Sequence, residues 1–117
     1  MRPTVLIVDD HADFRRSASD LLEAEGFAVV GAAADAREAV ELTLDMRPEI
    51  VLLDVQLPDR DGFAVAAQLA EDIEPPQVVL ISSRDAAAYG RRIAEAPVRG
   101  FIAKRDLTGP ALAALVT

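Results

Sequence analysis

The chain has 117 residues, 51% of them hydrophobic, so we expect one compact domain over residues 1–117. Its formal net charge is -8 at pH 7, so we expect an acidic surface that repels nucleic-acid backbones and anionic membranes. It contains no cysteine, which excludes disulfides, thiolate metal sites and cysteine nucleophiles. No apolar stretch is long enough to span a bilayer and the N-terminus carries no signal-peptide core, so a cytoplasmic protein is expected.

The first part of the sequence predicts two strands with a helix between them. Strand one is predicted at residues 4–8, where the unbroken apolar run is typical of a strand buried on both faces of a parallel sheet. The helix that follows has apolar residues at helical spacing, and Gly26 is placed to end it. Strand two is predicted at residues 28–31.

The central part predicts a second helix, a third strand and a third helix. Asp35 and Glu38 have the spacing of a capping box, so the second helix begins there, and it ends before Pro48. Strand three is predicted at residues 50–53. After a turn-rich loop, the apolar positions of residues 63–70 predict the third helix.

The last part predicts two more strands, at residues 78–81 and 98–102. A short alanine-rich helix is predicted between them at residues 85–94, with Tyr89 exposed on it, and a final helix at residues 110–116. Right-handed crossovers place the helices on both faces of the sheet. The whole pattern predicts an α/β domain of five βα units around one parallel sheet.

Charged residues follow three of the predicted strands. Asp9 and Asp10 come directly after strand one, Asp54 follows strand three, and Lys104 follows strand five. Because neighbouring parallel strands end at one edge of a sheet, where such sheets bind ligands, we expect these side chains to share a crevice. Carboxylates held close together raise one another's pKa and call for a hard cation, and Mg2+ takes oxygen ligands of this kind.

A crevice with carboxylates, a divalent cation and a lysine suits phosphoryl transfer, which depends on positioning and charge neutralisation. An aspartate can itself be the nucleophile and become an acyl phosphate. Ser82, at the end of strand four, is placed to donate its hydroxyl to a phosphoryl oxygen. Each residue alone has an ordinary explanation, as a helix cap, a solvated charge or a turn residue. Their shared position at strand ends favours the functional interpretation.

Short motifs at these strand ends carry a family resemblance. They are Val8-Asp9-Asp10-His11, then Leu53-Asp54-Val55-Gln56-Leu57-Pro58 with Gly62 following, then Ser82-Ser83, and finally Phe101 three residues before Lys104. In this order they resemble the receiver domain of bacterial two-component response regulators, over essentially the whole chain. The resemblance implies a CheY-like, flavodoxin-like α/β fold with a central five-stranded parallel sheet in the strand order 2-1-3-4-5.

The resemblance also implies the chemistry. Asp54 is implied to be the phosphoacceptor, Lys104 the phosphate-binding ammonium, and Ser82 the switch hydroxyl that moves together with the aromatic Phe101. These movements are implied to change the surface formed by helix four, strand five and helix five. The chain is therefore expected to be a signalling module with intrinsic phosphotransfer and dephosphorylation, and not a turnover enzyme.

The implied cofactor is Mg2+, held directly by Asp10 and Asp54, through water by Asp9, and by the backbone carbonyl of Gln56. The implied donor is a phosphohistidine on a sensor histidine kinase or on a histidine phosphotransfer protein. The implied recipient of the signal is an output domain or an effector protein, and a phosphorylation-dependent dimer is left open. No nucleic acid is expected to bind this domain directly.

Several positions modify these expectations. Arg105 follows Lys104 where many receivers have proline, which argues against the cis peptide often found there, since without proline it costs about 3 kcal/mol. Phe101 lacks the hydroxyl of the frequent tyrosine, so a side-chain hydrogen bond cannot hold its inward state. Gln56 and Arg84 occupy the variable positions that flank the phosphorylation site and are predicted to tune dephosphorylation, in a direction that the sequence leaves open.

Two alternatives remain from the sequence. A phosphohydrolase of the haloacid-dehalogenase type also uses a nucleophilic aspartate with Mg2+, but it needs a second acid where this chain has Gln56. A degenerate receiver would act as a binding module without phosphate, whereas a dinucleotide binder is disfavoured because no glycine-rich turn follows strand one. His11 is common in receivers attached to helix-turn-helix domains, and alone it is poor evidence for a metal site. An output domain beyond Thr117 is left open.

Overall fold

The computed structural model describes residues 2–116. Met1 and Thr117 lie outside the described residues, and so does any output domain after them. One sheet of five parallel strands has the order β2-β1-β3-β4-β5. The strands are β1 (Thr4–Val8), β2 (Ala28–Ala33), β3 (Ile50–Asp54), β4 (Gln77–Ser82) and β5 (Gly100–Ala103). The predicted fold class and strand order are confirmed.

Residues 2–116 also contain five α-helices, four between successive strands and one after β5: α1 (Ala12–Ala24), α2 (Ala36–Met46), α3 (Gly62–Leu69), α4 (Arg92–Glu95) and α5 (Gly109–Val116). The α2 start was predicted correctly, since the Asp35 side chain accepts a hydrogen bond from the Glu38 N–H at 2.8 Å. Glu38 reaches back to the N–H of Ala34, one residue before the one that a standard capping box uses. Arg47 ends α2 in a left-handed conformation (φ 48°), directly before Pro48.

The central strands β1, β3 and β4 are buried on both faces of the sheet, as the apolar run of β1 predicted. Because successive side chains point to opposite faces, Leu6 and Val51 pack under α2 and α3, whereas Val5 and Leu52 pack under α1 and α5. All five residues of β3 are buried. These two clusters pack against the central strands and, with the strand pairing, set their carboxyl ends side by side, which positions the site.

Three elements differ from the prediction by more than one residue. The proposed helix over residues 85–94 is wrong, because a 3-10 turn at Ala86–Ala88 is followed by Gly90 in a left-handed conformation (φ 57°) and only then by the four-residue α4. Strand five begins at Gly100 and not at residue 98, since the Val98 N–H is used in a local bond to Ala96. Strand two extends to Ala33, which pairs with the last residue of β1.

No helix within residues 2–116 is long and apolar enough to cross a membrane. Over the same residues all peptide bonds are trans, including the one between Lys104 and Arg105.

Candidate functional site

The register of the sheet brings the charged strand ends together. Val8 pairs with Leu53 in the β1–β3 ladder, so Asp9 and Asp54, the next residues, stand level on adjacent strands. Both fall on the face of the sheet that α1 and α5 cover, by the alternation of side chains along a strand. Lys104 begins a 3-10 turn directly after β5 and reaches them across the end of β4.

A lysine ammonium lies between two buried carboxylates at this edge. Lys104 Nζ is 2.5 Å from Asp9 Oδ2 and 3.2 Å from Asp54 Oδ2. Asp9 is 0% exposed and Asp54 is 3% exposed. The backbone N–H of Gln56 donates to Asp54 Oδ1 at 3.1 Å, and that of His11 donates to Asp9 Oδ1 at 2.8 Å. The structure therefore places Asp54 in a charged, hydrogen-bonded and largely dry setting.

The surroundings of the cluster shift the pKa values of both Asp54 and Lys104. Burial raises the pKa of Asp54 to about 6, with a smaller contribution from the negative charge of Asp9, against the opposing Gln56 N–H and Lys104 ammonium. Burial by itself would lower the pKa of Lys104, but its contacts with Asp9 and Asp54 outweigh this and raise the pKa above its ordinary value. At neutral pH the nucleophile candidate is ionised and its counter-ion is charged.

The acidic residues fit a hard divalent cation. Asp9, Asp10, His11 and Asp54 each offer one ligand atom, and these atoms lie within 4.8 Å of one another. Asp9 Oδ2 is buried and, within residues 2–116, has no partner at hydrogen-bond geometry, although the Lys104 ammonium is close. The Asp10 side chain is 36% exposed, so solvent reaches the cluster there. A set of mostly oxygen donors, partly open to water, suits Mg2+.

His11 belongs to this cluster, although the sequence alone did not connect it with a metal site. Its Nδ1 lies 3.1 Å from Asp9 Oδ1 and 3.1 Å from Asp10 Oδ1, while the side chain remains 70% exposed. His11 is also the N-cap residue of α1. Its only sequence signal was its position directly after the acidic pair. The role of the Gln56 carbonyl as a metal ligand stays a prediction.

Phe14 is a second residue that sequence patterns did not connect with the site. Its ring centroid lies 4.8 Å from Lys104 Nζ, close enough for a cation–π interaction. In the sequence Phe14 was identifiable only as an apolar position of α1. Its contact with Lys104 depends on the packing of α1 against the face of the sheet on which Lys104 also lies.

Ser82 and Phe101 lie on the other face of the sheet. Ser82 is 1% exposed, and its Oγ accepts a hydrogen bond from the Arg84 N–H at 3.0 Å. Tyr89 Oη lies 2.5 Å from the same oxygen, and the Tyr89 ring packs against half-buried Phe101 with centroids 5.8 Å apart. The prediction that Tyr89 is an exposed helix residue is wrong. The 3-10 turn ends at Ala88, and the half-buried Tyr89 side chain packs inward.

The loop after Asp54 closes tightly over the strand end. Gln56 forms an isolated antiparallel bridge with Asp61, and the Gly62 N–H donates to the Val55 carbonyl at 2.7 Å. A Cβ at Gly62 would lie 2.4 Å from the Asp54 carbonyl oxygen, so only glycine fits. Gln56 and Arg84 are exposed, and their role in tuning dephosphorylation stays a prediction.

Comparison with known proteins gives consistent matches. Residues 5–114 match the family model described as response regulator receiver domain. The chain is 33% identical over 102 residues to a putative transcriptional regulator of Pseudomonas aeruginosa, covering 87% of this chain and 49% of that protein. It is 40% identical over 89 residues to the transcriptional regulatory protein PdtaR of Mycobacterium tuberculosis, covering 74% of this chain and 43% of that protein.

A solved structure agrees over nearly the full length. The signal receiver domain of the putative response regulator NarL from Mycobacterium tuberculosis superposes with a TM-score of 0.85 and 30% sequence identity, covering 97% of this chain and 96% of that chain. This chain spans about half the length of the curated relatives it matches.

Proposed function

Since this chain belongs to the response regulator receiver domain family, we propose that it accepts a phosphoryl group on Asp54 in a Mg2+-dependent reaction. The donor in this proposal is a phosphohistidine on a sensor histidine kinase or a histidine phosphotransfer protein, and the proposed location is the cytoplasm. The observation that carries the proposal is the Lys104 ammonium within 3.2 Å of an Asp54 carboxylate that is 3% exposed. A buried carboxylate of this kind can attack a phosphoryl group, and a lysine at that distance can neutralise the negative charge of the phosphorylated product.

In the proposed reaction an Asp54 carboxylate oxygen attacks the phosphorus of the phosphohistidine. A phosphorus–oxygen bond forms as the phosphorus–nitrogen bond breaks, and the electron pair stays on the imidazole nitrogen, which takes up a proton. Lys104 turns from Asp54 to a phosphoryl oxygen while keeping its contact with Asp9. Asp9 and Asp10, with Asp54, would hold Mg2+, whose charge supports the negative phosphoryl oxygens during transfer.

The ionisation of Asp54 is favourable for this role. A carboxylate with a pKa of about 6 is mostly ionised at neutral pH and is more basic than an ordinary aspartate. The Lys104 ammonium and the Gln56 N–H keep it ionised and fix its orientation. Burial limits the access of water, which competes with the donor and later hydrolyses the acyl phosphate. In this proposal the exposed residues Gln56 and Arg84 tune that hydrolysis.

Signal output in this proposal passes through Ser82 and Phe101 to the surface of α4, β5 and α5. Phosphorylation can shift the conformational equilibrium only if the phosphoryl group interacts differently with the two states. A hydrogen bond from the Ser82 hydroxyl to the phosphoryl group supplies such a difference.

The recipient is an output domain or a partner protein that regulates transcription. Two relatives carry names as transcriptional regulators and are about twice as long as this chain, which leaves room in them for a second domain. The net charge of -8 disfavours direct nucleic-acid binding by this domain.

Intact-mass measurement of the wild type and Asp54→Asn after incubation with acetyl phosphate and Mg2+ tests the proposal. We expect a stoichiometric mass increase of one phosphoryl group on the wild type, stable in acid and labile in base, and none on the variant. Absence of the adduct on the wild type would support a phosphate-independent binding module instead. Turnover of a generic phosphatase substrate would favour the haloacid-dehalogenase type of phosphohydrolase.

A further inference from the structure

The Ser82 hydroxyl is engaged on the side of the sheet away from Asp54. In the β3–β4 ladder Asp54 pairs with Ile81, so Ser82, the next residue, points to the opposite face. There its Oγ accepts from the Arg84 N–H at 3.0 Å and lies 2.5 Å from Tyr89 Oη. Because Asp54 lies on the other face of the sheet, donation to a phosphoryl group there requires the Ser82 side chain to turn away from Tyr89.

Tyr89 is also held by two aromatic rings. Its ring centroid is 5.8 Å from that of Phe63, with an interplanar angle of 60°, and 5.8 Å from that of Phe101, with an angle of 54°. Tilted pairs at this separation are favourable ring contacts. Phe63 lies at the start of α3, directly after the loop that closes over Asp54, and Phe101 lies on β5. A displacement of Tyr89 would therefore change its ring contacts with both α3 and β5.

We propose that Tyr89 is a positioning residue for Ser82: its phenol holds the Ser82 hydroxyl away from Asp54 in the unphosphorylated chain, and phosphorylation breaks this bond. The inference rests on the proposed role of Asp54 as phosphoacceptor. Release of Tyr89 then alters its ring contact with Phe101 and carries the change to β5.

The chain provides its own spectroscopic probe of this bond. Tyr89 is the only tyrosine and there is no tryptophan, so the tyrosine absorbance and fluorescence of the unmodified protein report on this side chain alone. Phosphorylation with acetyl phosphate and Mg2+ is expected to change both signals as the phenol loses its partner. Asp54→Asn, the first control, is expected to show no change. Ser82→Ala is expected to show an altered spectrum before the donor is added and no further response.

A binding measurement tests whether the Tyr89 phenol stabilises the unphosphorylated state. Tyr89→Phe keeps the ring and removes only the hydroxyl, so it weakens the unphosphorylated state selectively. A neutral hydrogen bond shifts an equilibrium by roughly two- to tenfold, so Tyr89→Phe should bind beryllofluoride with Mg2+ more tightly by that factor in calorimetric titration. Thr43→Val is the matched control, because it removes another buried hydroxyl, bonded to the Ala39 carbonyl at 2.7 Å, on α2. Its affinity should equal that of the wild type.

The outcomes separate this inference from the proposed function. If mass spectrometry shows the Asp54 adduct but the Tyr89 signals do not change, the inference is refuted and the proposed function stands. Equal or weaker beryllofluoride binding by Tyr89→Phe refutes it as well. If no adduct forms on Asp54, the proposed function fails and the inference fails with it. A changed signal together with tighter binding by Tyr89→Phe supports the inference.

Discussion

Replacing Asp54 by asparagine should change how the stability of the metal-free protein depends on pH. Burial raises the pKa of Asp54 from an ordinary value of 3.8 to about 6 in the folded protein. The folded state therefore binds this proton more tightly than the unfolded chain. The resulting stabilisation is fully present below pH 3.8 and is lost as the pH rises through about 6. Asp54→Asn cannot titrate and escapes this loss.

The size of the effect follows from the difference between the two pKa values. Each pKa unit corresponds to about 1.4 kcal/mol, so the free energy of unfolding of the variant, relative to the wild type, should rise by about 2 to 3 kcal/mol between about pH 4 and pH 7. The amide also changes the hydrogen bonds to Gln56 and Lys104. Those changes add a constant offset and leave the pH dependence of the difference intact.

Urea unfolding of both proteins in a chelating buffer, at a series of pH values, measures this difference. Asp59→Asn is a useful control. The N–H groups of Ala36 and Arg37 lower the pKa of Asp59, so this carboxyl group titrates below the pH interval that is compared. The free energy of unfolding of Asp59→Asn should therefore differ from that of the wild type by a constant amount. Mg2+ should abolish or reverse the rise in the relative stability of Asp54→Asn with pH, because a bound cation favours the ionised carboxylate of the wild type. A flat or falling difference without metal would refute the electrostatic argument.

Three further substitutions test single contacts by urea unfolding at neutral pH. Lys104→Met leaves Asp9 and Asp54 without their ammonium and should cost about 3 kcal/mol, with a larger gain in stability from added Mg2+ than in the wild type. Gly62→Ala places a Cβ 2.4 Å from the Asp54 carbonyl oxygen, so it should cost about 2 kcal/mol and slow phosphorylation. Glu25→Ala removes the acceptor, at 2.6 Å, for the first N–H of α5 and should cost about 1 kcal/mol. An unchanged unfolding midpoint for any variant contradicts the contact that it tests.

Local sequence patterns predict most of the helices and strands, because each of these elements shows its own signal in the sequence. The buried runs of β1 and β3, the cap at Asp35 and the stop before Pro48 each depend on residues that are close in the chain. The strand order and the roles of the site residues came from the family resemblance. The alanine-rich segment of residues 85–94 predicts a single helix because alanine favours helices. The left-handed conformation of Gly90 interrupts it instead.

The sequence by itself determined that carboxylates and a lysine end strands of one parallel sheet, because strand direction alone collects those ends at one edge. Only the tertiary structure decided how the ends divide between the two faces. The register puts Asp9 and Asp54 level on the face where Lys104 reaches them, and it turns Ser82 to the opposite face, against Tyr89. Side chains alternate along a strand, so a shift of register by one residue would reverse this division. Register depends on packing between distant segments, which no local pattern encodes.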